Sequence, residues 1–256
     1  MDLCKLCLQQ RPLRESHAIP NSIFRKILAT NSGKAIVMPE AKNEPVHYSS
    51  DSWATFQLCA DCESLLNREY ERYSIGVFRN SGQCAQKHDY GVTFSGINTQ
   101  CLFGFLVAVL WRAASSTHPA YAKVILPEPW SEPIRKSLLN VQLIPSGIVS
   151  IKVSKLIDRS PKNGFSQENL KQLVMSPFFR RMRKGKYSFC LVFEGFFFEL
   201  FFPALSVSQR NKQGFLKRNK RMFMAPYLNV FDIPEMVECM ATGYGKFING
   251  QVTFKN

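Results

Sequence analysis

Cys4-Lys5-Leu6-Cys7 and Cys59-Ala60-Asp61-Cys62 decide how this chain begins to fold. Each is a C-x-x-C pair. Two such pairs supply the four thiolates of a tetrahedral Zn²⁺ site, one pair gripping each side of the ion. Four ordinary core cysteines are the competing reading, but chance rarely yields two matched pairs. Four sulfur ligands leave zinc no open position, so the ion is structural rather than reactive. The 51 residues between the pairs exceed what a compact zinc ribbon uses, so the site closes a long insertion. That insertion carries Ser16-His17-Ala18-Ile19-Pro20.

The chain has 256 residues, enough for one large domain or two small ones, and its 45% apolar content suffices for a buried core. Cys84, Cys101, Cys190 and Cys239 lie among apolar neighbours. They read as buried thiols, which suits a reducing cytoplasm; an oxidised, secreted, disulfide-bonded protein is the alternative. No secretory leader is legible in Met1-Asp2-Leu3-Cys4. The longest apolar stretch, Cys101 to Trp111, is too short to span a bilayer and stops at Arg112. It reads as a buried helix, with Arg112 as a packing and salt-bridge position near its end.

Net charge is +14, unevenly spread. Residues 1–80 hold 10 Lys/Arg against 9 Asp/Glu, whereas residues 155–222 hold 15 against 4. Such a basic segment favours a polyanion, nucleic acid first and an acidic membrane surface second; a solvated face without a partner is the bland reading. The densest clusters are Arg180, Arg181, Arg183, Lys184 and Lys186, and Lys217, Arg218, Lys220 and Arg221. They flank a phenylalanine-rich stretch, Tyr187–Phe193 and Phe196–Phe202, that reads as two strands joined through Glu194-Gly195. Most of those phenylalanines are expected in the core, since a hairpin of this composition needs a buried face.

The expected fold class is α+β, with a zinc-binding module over residues 1–75 and a basic α+β domain over residues 76–256. In the module, residues 13–19 read as a strand and residues 22–30 as a helix capped by Asn21; residues 31–57 read as irregular. A second helix runs from about Asp61 to Tyr73. Beyond it, 76–96 reads as a loop, 98–115 as the buried helix, 133–139 as a short helix and 147–153 as a strand. Residues 166–176 read as a helix, and 233–240 as a terminal helix.

Two sets of residues carry chemistry. Glu63, Asn67 and Glu71 are spaced four apart and share a helix face, where carboxylate and amide oxygens can bind a hard cation such as Mg²⁺ or Mn²⁺. A solvent-facing stripe is the alternative. His17 can accept a proton from water attacking a phosphodiester, or it can be a hydrogen-bonded core histidine or a spare zinc ligand.

The order C-x-x-C, a strand ending in Ser16-His17-Ala18-Ile19-Pro20, then C-x-x-C opening a helix resembles the HNH (His-Me finger, ββα-metal) endonucleases, in particular the zinc-bearing branch built on a treble clef. The resemblance covers about residues 1–75. It implies His17 as general base and Cys4, Cys7, Cys59 and Cys62 around a structural zinc. Glu63 stands where the family carries a metal-binding histidine, Ser16 where it carries a metal ligand, and Ala54 where it carries asparagine. Asn67 or Glu71 would complete a catalytic Mg²⁺ or Mn²⁺ site with Glu63. The implied function is metal-dependent cleavage of DNA or RNA, with the basic region gripping the backbone; microbial defence is a context by analogy. The alternatives are a non-catalytic zinc-containing nucleic-acid-binding protein and a zinc-stabilised protein-interaction adaptor.

Overall fold

The computed structural model describes residues 2–38, 44–160, 162 and 164–253. Strand β1 (Leu13–His17) is followed, after Pro20, by helix α1 (Asn21–Thr30), which buries Ile23, Phe24 and Ile27. The insertion is less irregular than its composition suggests. It contains β2 (Ala35–Val37), β3 (Val46–Ser49) and β4 (Ala54–Cys59), and β4 returns to pair antiparallel with β1. Helix α2 (Ala60–Leu66) starts directly from the second cysteine pair. A π-helical turn over Asn67–Glu71 joins it without a break to α3 (Arg72–Phe78). This helix therefore runs across the boundary expected near residue 75.

The segment expected as a loop forms a hairpin, β5 (Ala85–His88) and β6 (Gly91–Ser95). Helix α4 (Thr99–Ser115) is apolar on nearly every face and buried from Leu102 to Ala113; Asn98 caps it by accepting from the Cys101 N–H at 3.1 Å. Its Gly104 admits the Tyr70 ring so closely that an added Cβ would lie 2.4 Å from that ring, so glycine is required for the contact. Helix α5 (Glu128–Leu139) begins earlier than expected, with Pro at its start, where a missing N–H costs nothing.

The remaining elements are β7 (Ser150–Ile157), α6 (Gln167–Lys171), β8 (Met175–Arg181), β9 (Tyr187–Phe193), β10 (Phe196–Phe202), α7 (Val207–Arg210), β11 (Met222–Asn229), α8 (Pro234–Ile248) and β12 (Val252–Thr253). The helix expected over 166–176 stops at Lys171, and Met175 onward is strand because it extends the sheet beside β9. The seven-stranded sheet runs β5-β6-β11-β7-β10-β9-β8. β12 pairs with β3, bringing the C-terminal segment back onto the insertion.

The β9–β10 hairpin forms as read, with Glu194 and Gly195 both at positive φ (52° and 70°), the geometry that suits the twist of a two-residue turn. β10 is central and apolar on both faces. Phe196, Phe198, Leu200 and Phe202 join the main core under α4, and Phe197 joins a smaller core with Cys190, Ile233 and Met236. The main core extends without a gap from Cys4 and Cys62 to Phe223, so the cysteine-cluster module and the sheet share one interior.

Lys155 on β7 is 8% exposed, and its Nζ lies 4.1 Å above the Phe196 ring. Burial, reinforced by Lys171, lowers its pKa from 10.5 to about 8. Between those values the unfolded chain holds a proton that the folded chain has released, so stability rises with pH through that window. Below about 8 the folded state carries the full cost of the buried charge. Lys155→Met is expected to raise the urea midpoint at pH 7, by about 2–3 kcal/mol in stability, and to flatten the rise between pH 8 and 10. An unchanged or lower midpoint at pH 7 would contradict this account.

Candidate functional site

The first cysteine pair is held by the turn that contains it. The Leu8 N–H reaches the Cys4 carbonyl at 2.9 Å, and the Lys5 N–H bonds to the Gln57 carbonyl of β4 at 3.0 Å. That bond sets the first pair beside the second. All four Sγ atoms lie within 4.8 Å of one another, with Cys7 and Cys59 3.9 Å apart. Sulfurs on a tetrahedral zinc at about 2.3 Å would sit about 3.8 Å apart, so the set fits that ion with little adjustment. Burial opposes ionisation of Cys4, but backbone N–H groups of Cys7, Cys59 and Leu6 bring its thiol down to about 7. The Cys59 N–H donates to Cys4 Sγ at 3.3 Å. Such N–H donors favour thiolate over thiol. Among the described residues this is the one group of three or more His, Cys, Asp or Glu side chains arranged to hold a metal.

Next to it lies the polar cluster the resemblance points to. Alternation along β1 sends Ser16 and His17 to opposite faces. Ser16 is fully buried, and its Oγ donates to Glu63 Oε2 at 2.7 Å. The position read as a weak ligand thus meets the helix carboxylate directly. The other oxygen, Oε1, lies 3.5 Å from Arg112 Nη1, and Arg112 Nη2 reaches Glu71 Oε2 at 3.0 Å. Asn67 Nδ2 is 3.5 Å from Glu71 Oε1. Glu63, Asn67 and Glu71 are therefore gathered as expected, but around a guanidinium that is 1% exposed. Both carboxylates thus already face a cation. Glu63 and Asn67, with Ser64, Arg68 and Arg72, also line a surface cleft of about 440 Å³.

His17 looks the other way. Its Nε2 is 2.9 Å from Ser52 Oγ, and its ring lies beside Phe24. Burial, and then the nearby Arg112 charge, lower its pKa below the ordinary histidine value, so the ring is neutral at pH 7. Ala54, the family's asparagine position, is opposite His17 in the β1–β4 register. The adjoining Asp51 accepts from His118 Nε2 at 2.9 Å; His118 Nδ1 accepts from the Ala120 N–H, which assigns the remaining ring proton to Nε2. Trp53 stacks on the His118 ring. Neither Asp51, Ser52 nor His118 was legible as a site residue. Asp51 and Ser52 sit in a polar stretch without pattern, and His118 is separated from them by 65 or more positions.

The basic clusters divide into two kinds. Arg180 is held by Glu235 at 2.6 and 2.8 Å and lies near Glu199. Arg218 is stacked on the Phe103 ring at 4.3 Å and donates to the Ile144 carbonyl. These two are internal fasteners. Arg181, Arg183, Lys217, Lys220 and Arg221 are exposed, Lys186 is half-buried, and the Lys184 side chain lies outside the described part of the chain. No protein-family model, curated protein or solved structure matches the chain.

Proposed function

We propose that this chain is a zinc-clamped nucleic-acid-binding protein built on a divergent HNH-like, treble-clef module. The observation that carries the reading is the convergence of two distant basic runs. β11 pairs parallel with β7 (Tyr227 with Lys155), so the start of β11 points to the same end of the sheet as the start of β7, where Phe215 bridges Lys152. β10 pairs Phe201 with Ser150, β9 pairs Tyr187 with Phe202, and β8 pairs Arg181 with Tyr187. The runs around 181–186 and 217–221 thus flank the same end of the sheet. They are four strand spacings apart, about 19 Å. Exposed cations spread over that distance can contact several phosphates along one backbone.

Support for the module comes from its order of parts: first cysteine pair, β1–β4 hairpin, then a helix opened by the second pair. The phenylalanines of β9 and β10 between the basic runs are buried and offer no stacking surface, so affinity rests chiefly on backbone charge. No helix among the described residues is long and apolar enough to cross a membrane.

Reversing charge at Arg181, Arg183, Lys217, Lys220 and Arg221 is expected to weaken binding of a 20-nucleotide single strand by more than tenfold at 100 mM salt. The salt dependence should flatten by roughly 0.7 log units per phosphate contact removed. Unchanged affinity and slope would refute the reading.

The neutral ring of His17, held by Ser52 on the opposite face of β1 from the Ser16–Glu63 contact, supports a second reading, phosphodiester cleavage with His17 as general base. Incubation with plasmid DNA and with structured RNA separates the two. Cleavage by the wild type that His17→Ala abolishes would put the second in place of the first.

A further inference from the structure

We infer that Arg112 is the resident cation of the Ser16–Glu63–Glu71 cluster, and that its guanidinium keeps divalent ions off the oxygen donors gathered there. The oxygen donors gathered there are the Ser16 hydroxyl, the Glu63 and Glu71 carboxylates and the Asn67 amide, all of them hard ligands of the kind Mg²⁺ and Mn²⁺ take. Nothing in their chemistry disqualifies them; their occupancy does. Glu63 uses Oε2 for Ser16 and presents Oε1 to Arg112, and Glu71 presents Oε2 to the same guanidinium.

The cation is delivered from outside the module. Arg112 lies in the last turn of α4, 50 positions after Cys62, and α4 packs against the π-helical turn that carries Asn67 and Glu71. At 1% exposure it cannot be exchanged for a hydrated ion without opening that packing, and its Nε is buried without a protein partner. An Arg that fills a cavity on a rigid helix, facing two carboxylates, is a fixed positive charge. The wild-type cluster therefore has no affinity for a divalent ion to lose. The inference stands apart from the nucleic-acid reading, because it concerns ion occupancy alone.

The test is Mn²⁺ titration of the zinc-loaded full-length chain, followed by the electron paramagnetic resonance of free Mn²⁺. Wild type and Glu63→Gln are expected to give the same curve up to millimolar ion. Arg112→Gln is expected to gain one Mn²⁺ per chain, bound at least tenfold more tightly than by wild type, and Arg112→Gln/Glu63→Gln to lose it. A wild-type site that Glu63→Gln removes would overturn the inference, as would a folded, zinc-loaded Arg112→Gln with no gain. Should Arg112→Gln fail to fold, the wild-type and Glu63→Gln curves decide by themselves: identity supports the inference and divergence overturns it.

Discussion

Cys59→Ser is expected to release the metal and unfold the N-terminal module. Cys59 ends β4, caps α2, contributes one sulfur to the cluster and turns its own N–H onto Cys4 Sγ. A structural zinc contributes about 10–16 kcal/mol of apparent binding free energy, and this free energy belongs to folding because the unfolded chain has no preformed site. That is comparable to the roughly 5–15 kcal/mol by which a whole domain is stable. The damage should spread, since Cys4 and Cys62 lie in the same buried cluster as α4 and the central strands. Elemental analysis should show zinc falling from one per chain to near none, with melting lowered by more than about 10 °C. Cys190→Ser is the control. Cys190 is equally buried but remote from the cluster, so that variant should retain zinc. A Cys59→Ser protein that kept one zinc per chain and melted with the wild type would remove the metal from this account.

Arg79→Met is expected to be the most damaging single change away from the cysteine cluster. Glu194 is 2% exposed at the tip of the β9–β10 hairpin, and Arg79, just past α3, donates to its Oε1 from Nε at 2.7 Å. The same guanidinium donates to the Ser22 carbonyl at 2.9 Å, so one side chain ties the module's helices to the central hairpin. Its removal leaves Glu194 with only the 4.0 Å contact to Lys26 as an ion pair among the described residues. Uncovering a buried charge in this way costs about 3–5 kcal/mol, a fall on the order of 10 °C in a protein of this size. The double variant Arg79→Met/Glu194→Asn should recover much of the loss. It deletes the stranded charge, and asparagine tolerates the positive φ at 194. Equal melting of the single and double variants would show that the buried charge is not the cause.

Much of this architecture could be read from short-range pattern. The cysteine spacing marked the metal cluster, the apolar run from Cys101 marked α4, and Glu194-Gly195 between two phenylalanine-rich runs marked the hairpin to the residue. Each depends on neighbours within a few positions, where periodicity and turn chemistry act. The readings that changed depend on long-range pairing. Val46–Ser49 and Ala85–His88 are polar enough to pass for loops and Ala35–Val37 is too short to show a period, and all three became strands because a partner's ladder satisfies their backbone. Met175 and Ser176, at the end of the helix expected over 166–176, became strand for the same reason.

The candidate site divides along the same line. Sequence alone determined the four thiols, the neighbouring pair Ser16-His17, the carboxylates of the following helix and the uneven distribution of positive charge. Only the tertiary structure decided which of these groups are free to act. It sent Ser16 to Glu63 and His17 to Ser52, committed Arg180 and Arg218 to internal partners, and placed Arg112 on the two carboxylates from 41 and 49 positions away. The physical reason is that a ligand's identity is local to one residue. Whether its charge is already neutralised depends on burial and on groups that only packing brings within about 4 Å.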